Sequence, residues 1–112
     1  MKESRVPRPK GKAEYSIFFA TNQATKGWAD LLATRRNDLI EAWEFLTANP
    51  LRRTPLNYPL QEKLALVKRS GEEHSLWQLK LSITHGARIW YYVTDGKVMI
   101  EAVHTAHPNQ TK

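Results

Sequence analysis

Two cations, a carboxylate and a pair of histidines crowd the last third of this chain: Lys80, Arg88, Glu101, His104 and His107, with Gln78, Trp90 and Tyr92 interleaved. Such residues suit cleavage of a phosphodiester by the neighbouring ribose hydroxyl. The reaction needs a base to take the hydroxyl proton, cations to hold charge developing on the phosphate, and an acid for the leaving oxygen. Arg88 can grip a phosphate through two parallel hydrogen bonds, and Lys80 can add a point charge. Glu101, His104 and His107 are the candidates for moving protons, since imidazole titrates near neutrality. Trp90 and Tyr92 offer ring faces for an unstacked base, while Gln78, Lys63 and Lys68 complete the candidate RNA contacts. The plainer reading of Lys80, Arg88 and Glu101 is a solvated cross-strand charge cluster. His104 and His107 also match a two-ligand metal spacing, but no carboxylate or thiol lies next to them to complete a shell, so neither metal nor cofactor is expected.

Whether these side chains share a surface depends on strand register. Leu76 to Val103 holds three alternating apolar segments separated by a His-Gly and an Asp-Gly break, the pattern of an antiparallel meander. A three-residue loop of Thr84, His85 and Gly86 would pair Ile83 with Ala87 and keep the charge of Arg88 off the apolar face. Asp95-Gly96 is a two-residue hairpin signal pairing Thr94 with Lys97 and Tyr91 with Ile100. Leu79, Leu81, Ile83, Ala87, Ile89, Tyr91, Val93, Val98, Ile100 and Ala102 then form one face. Gln78, Lys80, Ser82, Arg88, Trp90, Tyr92, Lys97, Met99 and Glu101 form the other.

The preceding segments supply the covering layer. Met1 to Lys12 carries five basic residues with Pro7, Pro9 and Gly11 and reads as a flexible basic arm; residues 13–112 read as a single domain. Tyr15 to Ala20 is rich in β-forming residues. Asn22 or Thr25 can cap a helix with a buried stripe of Ala24, Trp28, Leu31 and Leu32. A break across Thr34 to Asn37 precedes a second helix marked by Leu39, Ile40, Trp43 and Leu46 and ended by Pro50, giving a helical hairpin with two tryptophans facing the core. Leu51 to Leu60, with its prolines, reads as an extended connector. Glu62 to Arg69 reads as a strand, turned back by Ser70 to Glu73. The residues after His104 are too polar for another core element. The predicted order is strand, helix, helix and four strands.

Composition narrows the function classes. The chain has 112 residues, no cysteine and a net charge of +6. Disulfides and thiolate metal sites are excluded. No apolar run reaches membrane-spanning length and no secretory signal is visible, so a cytoplasmic protein without membrane contact is expected. The basic excess favours a polyanionic partner, either nucleic acid or an acidic protein segment.

With these residues in view, the chain resembles the RelE/ParE superfamily of bacterial toxins, the toxic halves of type II toxin-antitoxin pairs. The resemblance is carried by Trp77-Gln78-Leu79-Lys80-Leu81, Gly86-Ala87-Arg88-Ile89-Trp90-Tyr91, Asp95-Gly96-Lys97-Val98 and the ending from His104 to Asn109, and spans roughly Tyr15 to Thr111. It implies an α+β fold in which an N-terminal strand and a helical hairpin pack on a twisted antiparallel β-sheet. RelE-like members cleave messenger RNA in the ribosomal A site without a metal, and on that pattern the strand lysine falls on Lys80, a second basic position on Gln78, the arginine after the turn glycine on Arg88, and the C-terminal basic or histidine position near His104 or His107. The aromatic often found at the C-terminus of RelE-like enzymes has no counterpart after Tyr92. ParE-like members share the fold but inhibit DNA gyrase without nuclease residues. Either way the resemblance implies a cognate acidic antitoxin, partly disordered, that folds around the basic toxin. A non-catalytic nucleic-acid-binding module using the basic arm and the sheet is the third reading.

Overall fold

The computed structural model of the protein describes residues 14–81 and 86–106. The chain runs through β1 (Ser16–Phe19), α1 (Asn22–Thr34), α2 (Arg36–Ala48), β2 (Asn57–Pro59), a 3₁₀ turn (Glu62–Leu64), β3 (Leu66–Arg69), β4 (Glu72–Ser75), β5 (Trp77–Lys80), β6 (Arg88–Thr94) and β7 (Lys97–His104). A five-stranded sheet has the order β1-β7-β6-β5-β2, and β3-β4 forms a separate hairpin. The α+β class is as the sequence predicts. The sheet, however, is mixed: β1 pairs with β7 in parallel, satisfying the outer edge of the meander.

The meander itself forms as expected, with one shift and one interruption. At Asp95-Gly96 both residues take positive φ, 50° and 73°, the conformation that suits a two-residue hairpin. Thr94 faces Lys97 and Tyr91 faces Ile100. Between β5 and β6 the ladder is displaced two residues from the predicted pairing: Lys80 lies opposite Arg88, and the Leu81 amide donates to the Ala87 carbonyl. A two-residue displacement leaves each side chain on its predicted face. The predicted loop residues Thr84 and His85, with Ser82 and Ile83, lie outside the described residues.

The interruption is a β-bulge. Tyr91 faces Ile100, but Trp90 faces Ala102, so Glu101 is an extra residue on β7. Alternation resets beyond it. Val103, rather than Ala102, turns into the main core, and Ala102 packs beside Trp90 on the other face. Uninterrupted pairing would have put Val103 opposite Arg88; the bulge puts His104 there.

One face of the sheet is closed by the helices. Ala24, Leu31, Leu39, Ala42 and Leu46 bury against Leu79, Ile89, Tyr91, Val98, Ile100 and Val103. The cap of α1 is Thr21, one residue before Asn22 and four before Thr25, the predicted candidates; its hydroxyl accepts from the Ala24 amide and donates to the Glu101 carbonyl, joining the helix start to the bulge. The buried stripe of α1 is Ala24, Gly27 and Leu31. Leu32 is exposed and Trp28 only partly buried, because α1 approaches β7 too closely for bulk: a Cβ on Gly27 would lie 2.5 Å from the Val103 carbonyl oxygen. On α2 the buried residues are Leu39, Ala42 and Leu46. Ile40 and Trp43 remain about half exposed, at 47% and 48%, so Trp43 does not face the core.

The other face carries a smaller cluster, Leu60, Leu76 and Trp90, edged by Leu64, Val67 and Ala102. The predicted connector contributes β2, an edge strand on β5, a position that tolerates its proline. The predicted strand from Glu62 begins instead with the 3₁₀ turn and becomes extended only at Leu66, where it pairs with β4 across Ser70-Gly71.

Candidate functional site

Gln78 is the centre of the polar face. On β5 it is 2% exposed, and its Oε1 accepts from Trp90 Nε1 at 2.8 Å and from Arg88 Nη1 at 3.2 Å. Its Nε2 donates to the Tyr58 hydroxyl at 3.0 Å. Arg88, also buried, directs Nε to the Gly86 carbonyl at 3.0 Å. These bonds fix the guanidinium on the sheet surface. Lys80 stands opposite Arg88, with Nζ 5.5 Å from the centre of the Tyr58 ring.

Directly opposed like charges on neighbouring strands repel. Among the described residues no carboxylate forms an ion pair with Lys80 or Arg88. An anion bound between them would relieve the repulsion. A cavity of about 300 Å³ opens there, lined by Tyr58, Pro59, Leu60, Gln61, Gln78, Lys80 and Arg88. Its volume is at the lower end for small-ligand pockets, about 300 Å³ upward.

His104 joins this face through the bulge. Its ring sits edge-on to Trp90, with centroids 4.4 Å apart, and Nε2 is buried without a hydrogen-bond partner among the described residues. Burial, and secondarily the positive charge of Arg88, hold the imidazole below its ordinary titration range. It is therefore neutral at neutral pH, the state a proton acceptor requires.

Other predicted positions fare differently. Glu101 lies on this face, but its carboxylate receives Arg69 through both Nε, at 3.0 Å, and Nη2, clipping the β3-β4 hairpin over β7. The predicted open stacking surfaces are closed. Trp90 is 7% exposed within the smaller cluster, and Tyr92, 5% exposed, is stacked on His74 with centroids 4.4 Å apart. Burial and the Glu101 charge raise the Tyr92 phenol above its usual range, with Arg69 opposing. The hairpin fold-back, invisible to strand periodicity, is the physical reason. Lys63 and Lys68 are exposed, on the 3₁₀ turn and β3. His107 lies outside the described residues. Among the described residues no three His, Cys, Asp or Glu side chains gather to hold a metal ion.

Sequence reasoning overlooked Tyr58, Gln61, Arg69 and His74. For Tyr58 a signal existed: a β-forming aromatic beside prolines is an edge-strand pattern. No comparable signal marked Arg69, whose partner is 32 positions away.

No protein-family model and no curated protein matches this chain. Solved structures do. YoeB from Staphylococcus aureus, crystallised as a dimer, superposes with a TM-score of 0.58 at 17% identity, over 81% of this chain and 95% of that one. An archaeal RelE from Pyrococcus horikoshii, in complex with RelB, gives 0.58 at 17% identity over 86% and 98%. YafQ from Escherichia coli, in complex with DinJ, gives 0.56 at 18% identity over 82% and 93%. The chain has the fold shared by these proteins.

Proposed function

We propose, from a RelE-like toxin fold with opposed cations on its open face, that this protein is the toxin of a type II toxin-antitoxin pair and a metal-independent endoribonuclease acting on messenger RNA in the ribosomal A site. One observation supports the reading: Lys80 and Arg88 face each other with no ion-pairing carboxylate among the described residues, and the bulge adds a histidine on the same face whose titration is pushed down.

In the proposed reaction a ribose 2′-oxygen attacks the adjacent phosphorus and the bond to the 5′-oxygen breaks, leaving a 2′,3′-cyclic phosphate and a 5′-hydroxyl. His104, whose Nε2 is buried, would take the 2′ proton at Nδ1. Arg88 and Lys80 bind the non-bridging oxygens as negative charge accumulates; fixed cations cost little reorganisation at that moment. Gln78 acts through Arg88 as a positioning residue. His107 is the candidate proton donor to the leaving oxygen. Glu101, held by Arg69, has the weakest case as a proton carrier.

The antitoxin follows from the same reading. Its acidic segment would cover the cationic face of a chain with net charge +6. A second target, DNA gyrase, is favoured by one feature: with Trp90 and Tyr92 covered, this face offers RNA no open stacking platform among the predicted residues. Induced expression followed by primer extension on transcripts separates the two. Cuts lost in Lys80→Ala support the nuclease, whereas intact transcripts with inhibited supercoiling support the gyrase inhibitor.

A further inference from the structure

Hydrogen-bond directions around Gln78 assign an unclaimed proton to Tyr58. Trp90 Nε1 and Arg88 Nη1 can only donate, so the atom of Gln78 facing both must be the carbonyl oxygen. The amide nitrogen therefore faces Tyr58, and an amide nitrogen can only donate. The phenol oxygen is thus the acceptor in that bond. Its own proton has no acceptor among the described residues.

Position gives that proton a direction. Tyr58 is held on β2 by the pairing of its strand with β5, and the strand is pinned by the buried Asn57, whose side chain bonds the Pro50 and Arg52 carbonyls. The ring lies beside Lys80, and residue 58 lines the same cavity as Lys80 and Arg88. An anion seated between the two cations would meet three donors of different chemistry: an ammonium, a guanidinium and a phenol. The phenol adds a donor fixed in direction by its ring, where the ammonium on its flexible stem acts chiefly as a point charge.

We propose that Tyr58 is a phosphate-binding residue of this site, its hydroxyl donating to a non-bridging oxygen of a nucleic-acid phosphate held by Lys80 and Arg88. This deepens the nuclease reading and rests on the same face, but it concerns binding and can be tested without turnover. The phenol would occupy the side of the phosphate nearest β2, giving the cavity a polar wall from an element that carries no charged residue.

The test uses the full chain and a short single-stranded oligonucleotide with 2′-deoxy sugars, which cannot be cut by a 2′-hydroxyl. Tyr58→Phe removes the hydroxyl and keeps the ring beside Lys80. Hydrogen bonds to charged groups are the stronger kind, so affinity should fall about tenfold or more; the variant should also melt somewhat lower, because Gln78 Nε2 loses its acceptor, and binding is therefore compared at a temperature where both proteins are fully folded. Replacing the bound phosphate by a neutral methylphosphonate should shrink that penalty towards nothing. Equal affinities of wild type and Tyr58→Phe would overturn the proposal. So would an equal penalty with both oligonucleotides, which would mean a base contact, or no measurable binding by the wild type. The nuclease reading stands or falls separately, on whether the wild type cuts transcripts during translation.

Discussion

Lys80 and Arg88 are better arranged for binding an anion than for stabilising the fold. Removing one of two opposed cations relieves repulsion, so Lys80→Ala should leave the melting temperature unchanged or slightly raised. On the proposed reaction, loss of the cation assigned to the transition-state charge should nevertheless slow cleavage by about a hundredfold or more. A parallel fall in stability and activity would mark Lys80 as structural. Gln78 belongs to the other class. Gln78→Leu leaves Trp90 Nε1 buried without an acceptor, a cost of about 1–3 kcal/mol that a denaturant titration would read. His104 adds a pH dependence. Its folded form titrates below 6.5, so on acidification the unfolded chain takes up this proton first. Its presence should not reduce stability above that value and should do so increasingly as pH falls through it. Melting curves of His104→Gln should accordingly fall less steeply with acid than those of the wild type; an identical slope would mean that His104 titrates normally.

At the scale of elements, the sequence carried the meander and its faces, because alternation and the Asp-Gly turn are local signals. The positions of Lys80 and Arg88 on one face were legible for the same reason. The bulge was not. Counting alternation straight through Glu101 assigns Ala102 to the core, and only the sheet shows Val103 there and His104 beside Arg88. The hairpin over Trp90 was equally hidden, since it is held by the distant pair Arg69 and Glu101. The contact of α1 with β7 shows a third kind of miss. The predicted stripe of Ala24, Trp28, Leu31 and Leu32 followed apolar spacing, whereas close approach selected Gly27. Gly27→Ala should therefore destabilise by about 1–3 kcal/mol even though alanine favours helix, because the carbonyl oxygen in its way belongs to a paired strand. At roughly 4–8 °C per kcal/mol for a domain near this size, the thermal shift should be plain.

For the molecule as a whole, charge governs encounter. With a net +6, association with an acidic partner or RNA should quicken at low ionic strength and slow steeply as salt is added, mostly through the association rate. A salt-insensitive rate would shift the weight to apolar contacts. The helices close one face of the sheet, the hairpin covers part of the other, and the cavity between β2, β5 and β6 is where chain and polyanion would meet. On the proposed function, the sheet face that bears this cavity and His104 cuts messenger RNA on the ribosome. The most direct test is a reconstituted translation reaction with purified protein, in which the 5′ ends of cut transcripts are mapped by primer extension. Cuts should appear in the codon at the A site with the wild type and be strongly reduced in Lys80→Ala and His104→Gln variants that melt as folded proteins do. Transcripts left intact by the folded wild type, in a reaction that a known ribosome-dependent nuclease does cut, would contradict the proposed function.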